Sequence, residues 1–245
     1  MLYIVGYGAM AKAILEGLLK EGKEVAIVGR DPKKLGSIAK AYGIKTFELE
    51  NFDMGGSDVI LAVKPYALED VAKKLQGEAR ILYSILAGTK IEDLRCIKAR
   101  HYIRAMPNVA ASKQASMTTV TGDVSVKEEA LELFSAIGET LWVQSEKELD
   151  IATAIAGSGP AFLALVAEAI ADGGVLCGLK RESAYHLTAG LFRSYAAIAE
   201  EQPASIKDRV MSPAGTTAAG YRALEKNGVR AAFMEAIRKA FEKTK

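Results

Sequence analysis

The sequence predicts an α/β domain, a doubly wound parallel sheet over residues 1–146, followed by an all-α domain over residues 147–245. Three observations predict it. Apolar runs of strand length alternate with helical periodicity along the first part of the chain, the pattern of successive βαβ units. From Ser145 onward no convincing strand remains, and helical periodicity dominates. Half of the 245 residues are hydrophobic and a quarter are charged, the composition of a globular chain with a substantial core.

Taken in order, the first strand is Leu2-Tyr3-Ile4-Val5. Gly6-Tyr7-Gly8-Ala9-Met10-Ala11 follows at once, and a helical run to Lys20 carries Met10, Ile14, Leu15 and Leu18 on one face. Residues 24–28 read as the second strand. Asp31-Pro32 starts the next helix, with Asp31 as N-cap and proline at the first helical position. A short patch at 45–49 reads as the third strand. Residues 58–63 form a near-continuous apolar run, as expected for a parallel strand buried on both faces. It stops at Lys64-Pro65, before a helix over 67–75. Residues 80–86 repeat the pattern and stop at Ala87-Gly88. Strands at 102–106 and 115–121 are separated by Pro107-Asn108, and a helix over 127–137 and a strand over 140–143 complete the sheet.

In the second half, Phe162, Leu165, Val166, Ala169 and Ile170 share a helix face. Further helices are predicted at 182–201, 216–226 and 230–243. These helices are rich in alanine and carry few bulky side chains, so their own core is thin and packing against a second copy is expected. No low-complexity linker separates the halves, and the boundary near residue 147 is a helix start.

A net charge of +2 points to neither nucleic acid nor a membrane surface. The first strand begins at Leu2, which leaves no room for a targeting segment. No apolar run is expected to approach the ~18 residues of a membrane span. Cys96 and Cys177 stand far apart, with no CxxC and no His cluster, so free buried thiols in a reducing cytoplasm are expected and a metal is not.

The glycine stretch carries the first chemical signal. Gly6 permits a tight turn, Gly8 lets the backbone approach a pyrophosphate, and small Ala11 lets helix and strand pack closely. Amides at the helix start, at Ala9 and Met10, then face the phosphates. The alternative is a turn that serves chain geometry alone. At the end of the second strand, where a carboxylate would hold a ribose 2′-hydroxyl, the chain has Gly29-Arg30. Arg30 can fork onto a phosphate, and Lys33 and Lys34 add positive charge, which favours NADPH with NADH as the weaker alternative. A solvated basic helix start is the competing reading. Val63, Lys64, Pro65, Ala87, Gly88 and Asn108 end strands on the ligand-binding edge of such a sheet, where they would line the nicotinamide pocket. In the helical half, Ala156-Gly157-Ser158-Gly159-Pro160-Ala161 puts a flexible turn before a helix. Ser212-Pro213-Ala214-Gly215-Thr216-Thr217 does the same, with Ser212 as N-cap. A helix start of this kind seats a substrate carboxylate, or is an ordinary cap.

Together and in this order, Gly6-x-Gly8-x-x-Ala11, Val63-Lys64-Pro65, Ser84-x-x-Ala87-Gly88, Arg104-x-Met106-Pro107-Asn108, Gly157-Ser158-Gly159-Pro160-Ala161 and Ser212-Pro213-x-Gly215-Thr216-Thr217 make a chain that resembles pyrroline-5-carboxylate reductase almost throughout. The resemblance implies an N-terminal Rossmann domain that binds NADP. It implies a C-terminal helical domain for dimerisation and substrate binding, and hence a homodimer, with a decamer of dimers as a higher assembly. It implies hydride transfer from NADPH to the C=N carbon of 1-pyrroline-5-carboxylate, giving L-proline. Thr217 matches the family threonine whose hydroxyl contacts the ring nitrogen. Amides of 212–217 would hold the carboxylate, Glu200 matches a family acid near the substrate, and Ser158 lies in the first of the two substrate stretches. The family usually has glycine where this chain has Ala214, and Thr-Pro-Ala where it has Val109-Ala110-Ala111. Two alternatives remain open at this level. One is a reductase of the β-hydroxyacid dehydrogenase type, for which Lys147 is the nearby candidate lysine. The other is a non-catalytic NADPH-binding regulator, which would not need the 212–217 cap.

Overall fold

A computed structural model of the chain describes residues 1–50 and 52–244. In chain order the elements are β1 (Leu2–Val5), α1 (Ala9–Lys20), β2 (Val25–Gly29), α2 (Pro32–Tyr42), β3 (Thr46–Glu48), β4 (Phe52–Asp53), β5 (Asp58–Leu61), α3 (Leu68–Ala72), β6 (Leu75–Gln76), β7 (Ala79–Ser84), α4 (Ile91–Leu94), β8 (Ala99–Met106), β9 (Ser116–Gly122), α5 (Lys127–Ser135) and β10 (Gly138–Trp142). Helices α6 (Glu146–Ala152), α7 (Gly159–Leu176), α8 (Arg181–Ala196), α9 (Pro203–Val210), α10 (Thr216–Lys226) and α11 (Val229–Glu242) follow, with a π-helical turn at Thr153–Gly157 between α6 and α7. The packing divides into two units. Met1–Ser158 and the residues after Lys239 form one, and Gly159–Lys239 the other.

The first unit is an eight-stranded sheet of order β10-β9-β8-β7-β5-β1-β2-β3. Its two faces are read off the pleat. Leu2 and Ile4 point to one side, against Ile14, Leu15 and Leu18 of α1, Leu35 and Ile38 of α2, and Phe134 of α5. Val5 points to the other side, with Leu68 and Val71 of α3 and Leu94 of α4. Helices on both faces are the doubly wound arrangement expected from the sequence. One pair departs from the all-parallel expectation: β8 and β9 run antiparallel. Only residues 107–115 connect them, too few for the crossover of a dozen or more residues that a parallel pair needs. The helix expected over 67–75 ends at Ala72, because Leu75-Gln76 is drawn into a two-stranded ribbon with Phe52-Asp53.

In the second unit only Ala171, Ala184, Thr188 and Ile206 are buried, while Leu163, Leu165, Leu176, Leu187 and Leu191 are exposed. The thin core expected from the alanine content is what is observed. Three expectations need correction here. Cys96 and Cys177 are free, but both are exposed rather than buried. The run Glu146–Leu176 is by length and composition long and apolar enough to cross a membrane, since residues 151–167 carry no charge among their small and apolar side chains. The helix expected over 182–201 stops at Ala196 and continues as tighter turns, Ile198 N bonding Tyr195 O at 3.0 Å and Glu201 N bonding Ile198 O at 3.1 Å. Pro203 disfavours a helical residue before it and opens α9 at its first position, an element the sequence reading missed.

Candidate active site

The strand order reverses beside β1, with β2 on one side and β5 on the other. At the carboxyl ends of these strands lies a cavity of about 930 Å³, where open α/β sheets place their ligands. Gly6, Arg30, Ala62, Ala87, Pro107 and Ser158 are among its walls, so the ends of five strands and the π-helical turn meet there.

Local chemistry builds this cavity. Gly6 has φ +117°, and a Cβ there would collide with the Ala62 carbonyl, so only glycine turns the chain between β1 and α1. Gly8 is the extended N-cap of α1, and a Cβ built on it meets nothing within 4 Å. The first amides of α1 lack intrahelical acceptors and carry the positive end of the helix dipole. Ala11 is fully buried where α1 meets the sheet. Beyond β2, Asp31 accepts from Lys33 N at 3.0 Å and Lys34 N at 3.2 Å, which is the N-cap role expected for it. Arg30 is exposed and makes no ion pair among the described residues. Lys34 Nζ lies 5.7 Å from the centre of the Tyr7 ring, which packs against Gly29 so closely that a Cβ there would clash. A glycine-cornered turn, unpaired helix amides and a free guanidinium fit a dinucleotide whose pyrophosphate sits on α1.

Gly6, Gly8, Ala9, Met10, Arg30, Val63, Lys64, Pro65, Ala87 and Ser158 all line the cavity. Gly88 and Asn108 do not. Gly88 turns the chain at φ +67° beside the Thr244 backbone. Asn108 is buried, and its side chain accepts from Ala110 N at 3.0 Å and donates to Ala156 O at 3.2 Å. Tyr7 and Gly157, which the sequence offers only inside their motifs, and Thr153, which lies outside every motif, are further wall residues. The stretch 156–161 is not a flexible turn: Thr153–Gly157 is π-helical and α7 follows at Gly159. Lys147 is exposed on α6 and stands off the cavity wall. His101 pairs with Asp123 at 2.5 Å, and His186 is exposed on α8.

In the helical unit, the loop 212–217 closes through Gly215 N donating to Ser212 O at 3.0 Å. Gly215, not Ser212, is the N-cap of α10, and no side chain caps it. The expectation for Ser212 fails because the chain needs two more residues to turn after it, one of them Ala214 at φ +58°. The Thr216 and Thr217 side chains are exposed on the first turn of α10 and have no hydrogen-bond partner among the described residues. Glu200 is exposed in the turn beyond α8, while its neighbour Glu201 is held by Arg209 at 2.7 and 3.0 Å.

A family model for pyrroline-5-carboxylate reductase dimerisation matches residues 146–245, and one for NADP oxidoreductase, coenzyme F420-dependent, matches residues 2–88. The pyrroline-5-carboxylate reductase of Synechocystis sp. is 39% identical over 262 aligned residues, covering 99% of this chain and 96% of that one. The chain belongs to the pyrroline-5-carboxylate reductase family. Among solved structures, the 1-pyrroline-5-carboxylate reductase of Streptococcus pyogenes superposes with a TM-score of 0.86 at 29% identity, covering 99% of this chain and 97% of that one. The pyrroline carboxylate reductase of Plasmodium falciparum, solved with NADP bound, gives 0.80 at 25% identity with the same coverage. The pyrroline-5-carboxylate reductase fold thus runs the length of this chain, as its ordered motifs led one to expect.

Proposed function

We propose that this chain reduces 1-pyrroline-5-carboxylate to L-proline with NADPH. The observation that carries the proposal is the pairing, in one chain of this family, of a switch-point cavity built for a dinucleotide with the helix start at 212–217. Gly6, Gly8, Ala9 and Met10 would hold the pyrophosphate, Arg30 the 2′-phosphate, and Val63, Lys64, Pro65 and Ala87 the nicotinamide side. Gly88 and Asn108 end the adjoining strands and would complete the cofactor side of the site. Bound NADPH supplies the hydride that reduces the C=N bond. The protein's own part is alignment and exclusion of water, because a protonated imine is already electrophilic. Ser212, Ala214, Gly215 and Thr216 would present backbone amides to the substrate carboxylate, with Ser158 as a further substrate contact. Thr217 would hydrogen-bond the ring nitrogen, and Glu200 would favour its cationic form. NADH serves as the weaker donor.

The proposal includes division of labour at residue 146, a homodimer that covers the exposed leucines of α7 and α8, a decamer of dimers, and a cytoplasmic location. The dimerisation model over 146–245 supports the pairing, and it gives the apolar run Glu146–Leu176 an occupant other than lipid. The dehydrogenase alternative is disfavoured because Lys147 stands off the cavity.

The test is NADPH oxidation by the purified chain with pyrroline-5-carboxylate and with a few 3-oxo acids, followed by the same assay on Thr217→Ala. Turnover confined to the imine supports the proposal, and turnover confined to an oxo acid overturns it. Thr217→Ala should lower kcat/KM by roughly three- to a hundredfold, the worth of one hydrogen bond to a polar or charged partner. Sedimentation that detects only monomer-sized particles at micromolar protein would remove the dimer.

A further inference from the structure

Asn108 lies between two wall residues of the cavity, Pro107 and Val109, yet it does not itself line that wall. All its polar groups are committed. Its backbone N donates to Ser116 Oγ at 2.9 Å, its Oδ1 accepts from Ala110 N at 3.0 Å, and its Nδ2 donates to Ala156 O at 3.2 Å. Ser116 Oγ is itself tied to Thr118 Oγ1 at 3.0 Å, and both side chains are buried.

The acceptor explains the arrangement. In an α-helix Ala156 O would take the N–H of the residue four positions on, which here is Pro160, and proline has none. The helix also widens at this point: Ser158 N bonds Thr153 O, five residues back, at 3.1 Å. Thr153 Oγ1 takes up Leu149 O at 2.7 Å on the other flank. The widened turn carries Thr153, Gly157 and Ser158 into the cavity wall. One amide therefore joins the 107–109 wall to the 153–158 wall from behind.

We infer that Asn108 is a positioning residue that holds the π-helical turn against the cavity by replacing the hydrogen bond Pro160 cannot give, and that it touches neither cofactor nor substrate. The inference rests on the proposed reaction for its kinetic consequence. The turn it fixes carries Ser158, a proposed substrate contact, whereas the pyrophosphate seat at Gly6 and Gly8 lies on another element. Pro160 is then the second half of the device: a residue with an N–H at position 160 makes Asn108 dispensable.

The experiment compares wild type, Asn108→Asp, Pro160→Ala and the double variant. It uses imine turnover, NADPH fluorescence titration and amide exchange at residues 153–158. Asn108→Asp keeps the acceptor for Ala110 and loses the donor to Ala156. It should lower kcat/KM for the imine roughly tenfold and speed exchange across 153–158. The NADPH Kd should stay within about threefold. Adding Pro160→Ala should restore most of the loss. Should Asn108→Asp not fold, Asn108→Ser, which is too short to reach Ala156, takes its place. A tenfold or larger rise in NADPH Kd would make Asn108 a cofactor contact and overturn the inference. So would unchanged kcat/KM despite faster exchange, or strictly additive effects of the two substitutions. If wild type fails to reduce the imine, it is the proposed reaction that fails. Exchange and NADPH titration still report on Asn108.

Discussion

Arg104 Nη2 donates to Asp150 Oδ1 at 2.9 Å, with the arginine side chain only 1% exposed and the aspartate 13%. Nη1 of the same guanidinium reaches Glu146 Oε1, also at 2.9 Å, and that oxygen accepts from Ile91 N at 2.8 Å. A cation buried in β8 thus fixes α6, the helix that leads into the π-helical turn of the cavity wall. Breaking a buried pair from one side leaves an uncompensated charge, which costs about 3–5 kcal/mol. Because Glu146 remains in Asp150→Ala, the lower end of that range is expected, about 3 kcal/mol. Arg104→Leu should cost more, since it deprives both carboxylates of their cation at once, the more buried Asp150 included. Denaturant midpoints of the two variants and of their double measure it, and the double should fall short of the sum. A loss under about 1 kcal/mol for Asp150→Ala would mean that the pair is solvated in solution.

Arg30 tests the cofactor reading. It is exposed, has no ion-pair partner among the described residues and stands where a strand-end acid would select NADH. Arg30→Ala should raise the KM for NADPH by roughly ten- to a hundredfold, the worth of a charge-assisted hydrogen bond, and change that for NADH little. Steady-state kinetics with both donors decide the matter. Equal losses would mean that Arg30 stacks on adenine rather than reading a 2′-phosphate.

How much of this was legible in the sequence depends on the range of the interaction. β1, α1 and the Asp31-Pro32 helix start are written locally, in apolar runs, periodicity and a cap, and the structure has them within a residue. Arg104 could be read only as part of a motif, because its partners lie 42 and 46 residues away. The ribbon of Phe52-Asp53 with Leu75-Gln76 is two residues long on each side, below any periodicity. The π-helical turn receives a donor from Asn108, 48 residues earlier in the chain. Its one local trace is Pro160, which deprives Ala156 O of its usual partner. Ala214 was visible as a departure from the family pattern, but its backbone strain needed φ.

Acid stability should register the contact between His101 and Asp123. The Asp123 carboxyl is held below its ordinary 3.8, at about 2, first by the His101 hydrogen bond and then by the hydroxyl and amide of Ser125. A depressed carboxyl contributes stability that is fully present above its unfolded-state value and is lost as pH falls through its folded value. The window is therefore between about pH 4 and pH 2. The two side chains are 31% and 37% exposed, so water screens the pair and its worth is under about 1 kcal/mol. Thermal midpoints of wild type and Asp123→Asn should differ just above this window and converge within it. A gap that persists to the acid end would assign the effect to packing.

Ala214 adopts φ +58° in the loop 212–217, a conformation that costs a residue with a Cβ about 1–2 kcal/mol. Glycine would relieve that strain, although its freer unfolded chain returns about 0.5–1 kcal/mol of the gain. Ala214→Gly should therefore leave stability unchanged or raise it slightly, the reverse of the usual result of placing glycine in a folded chain. Ala214→Val puts a branched Cβ into the same conformation and should destabilise by more than about 1 kcal/mol. If the amides of this loop hold the substrate carboxylate, the valine variant should also raise the KM for the imine. Its NADPH titration should match wild type, because the proposed pyrophosphate seat at Gly6 and Gly8 lies on a different element. Calorimetry and steady-state kinetics on the two variants supply both readouts. Destabilisation by glycine would show that the loop relaxes out of the left-handed region in solution. A KM unmoved by valine would take the loop out of the substrate site.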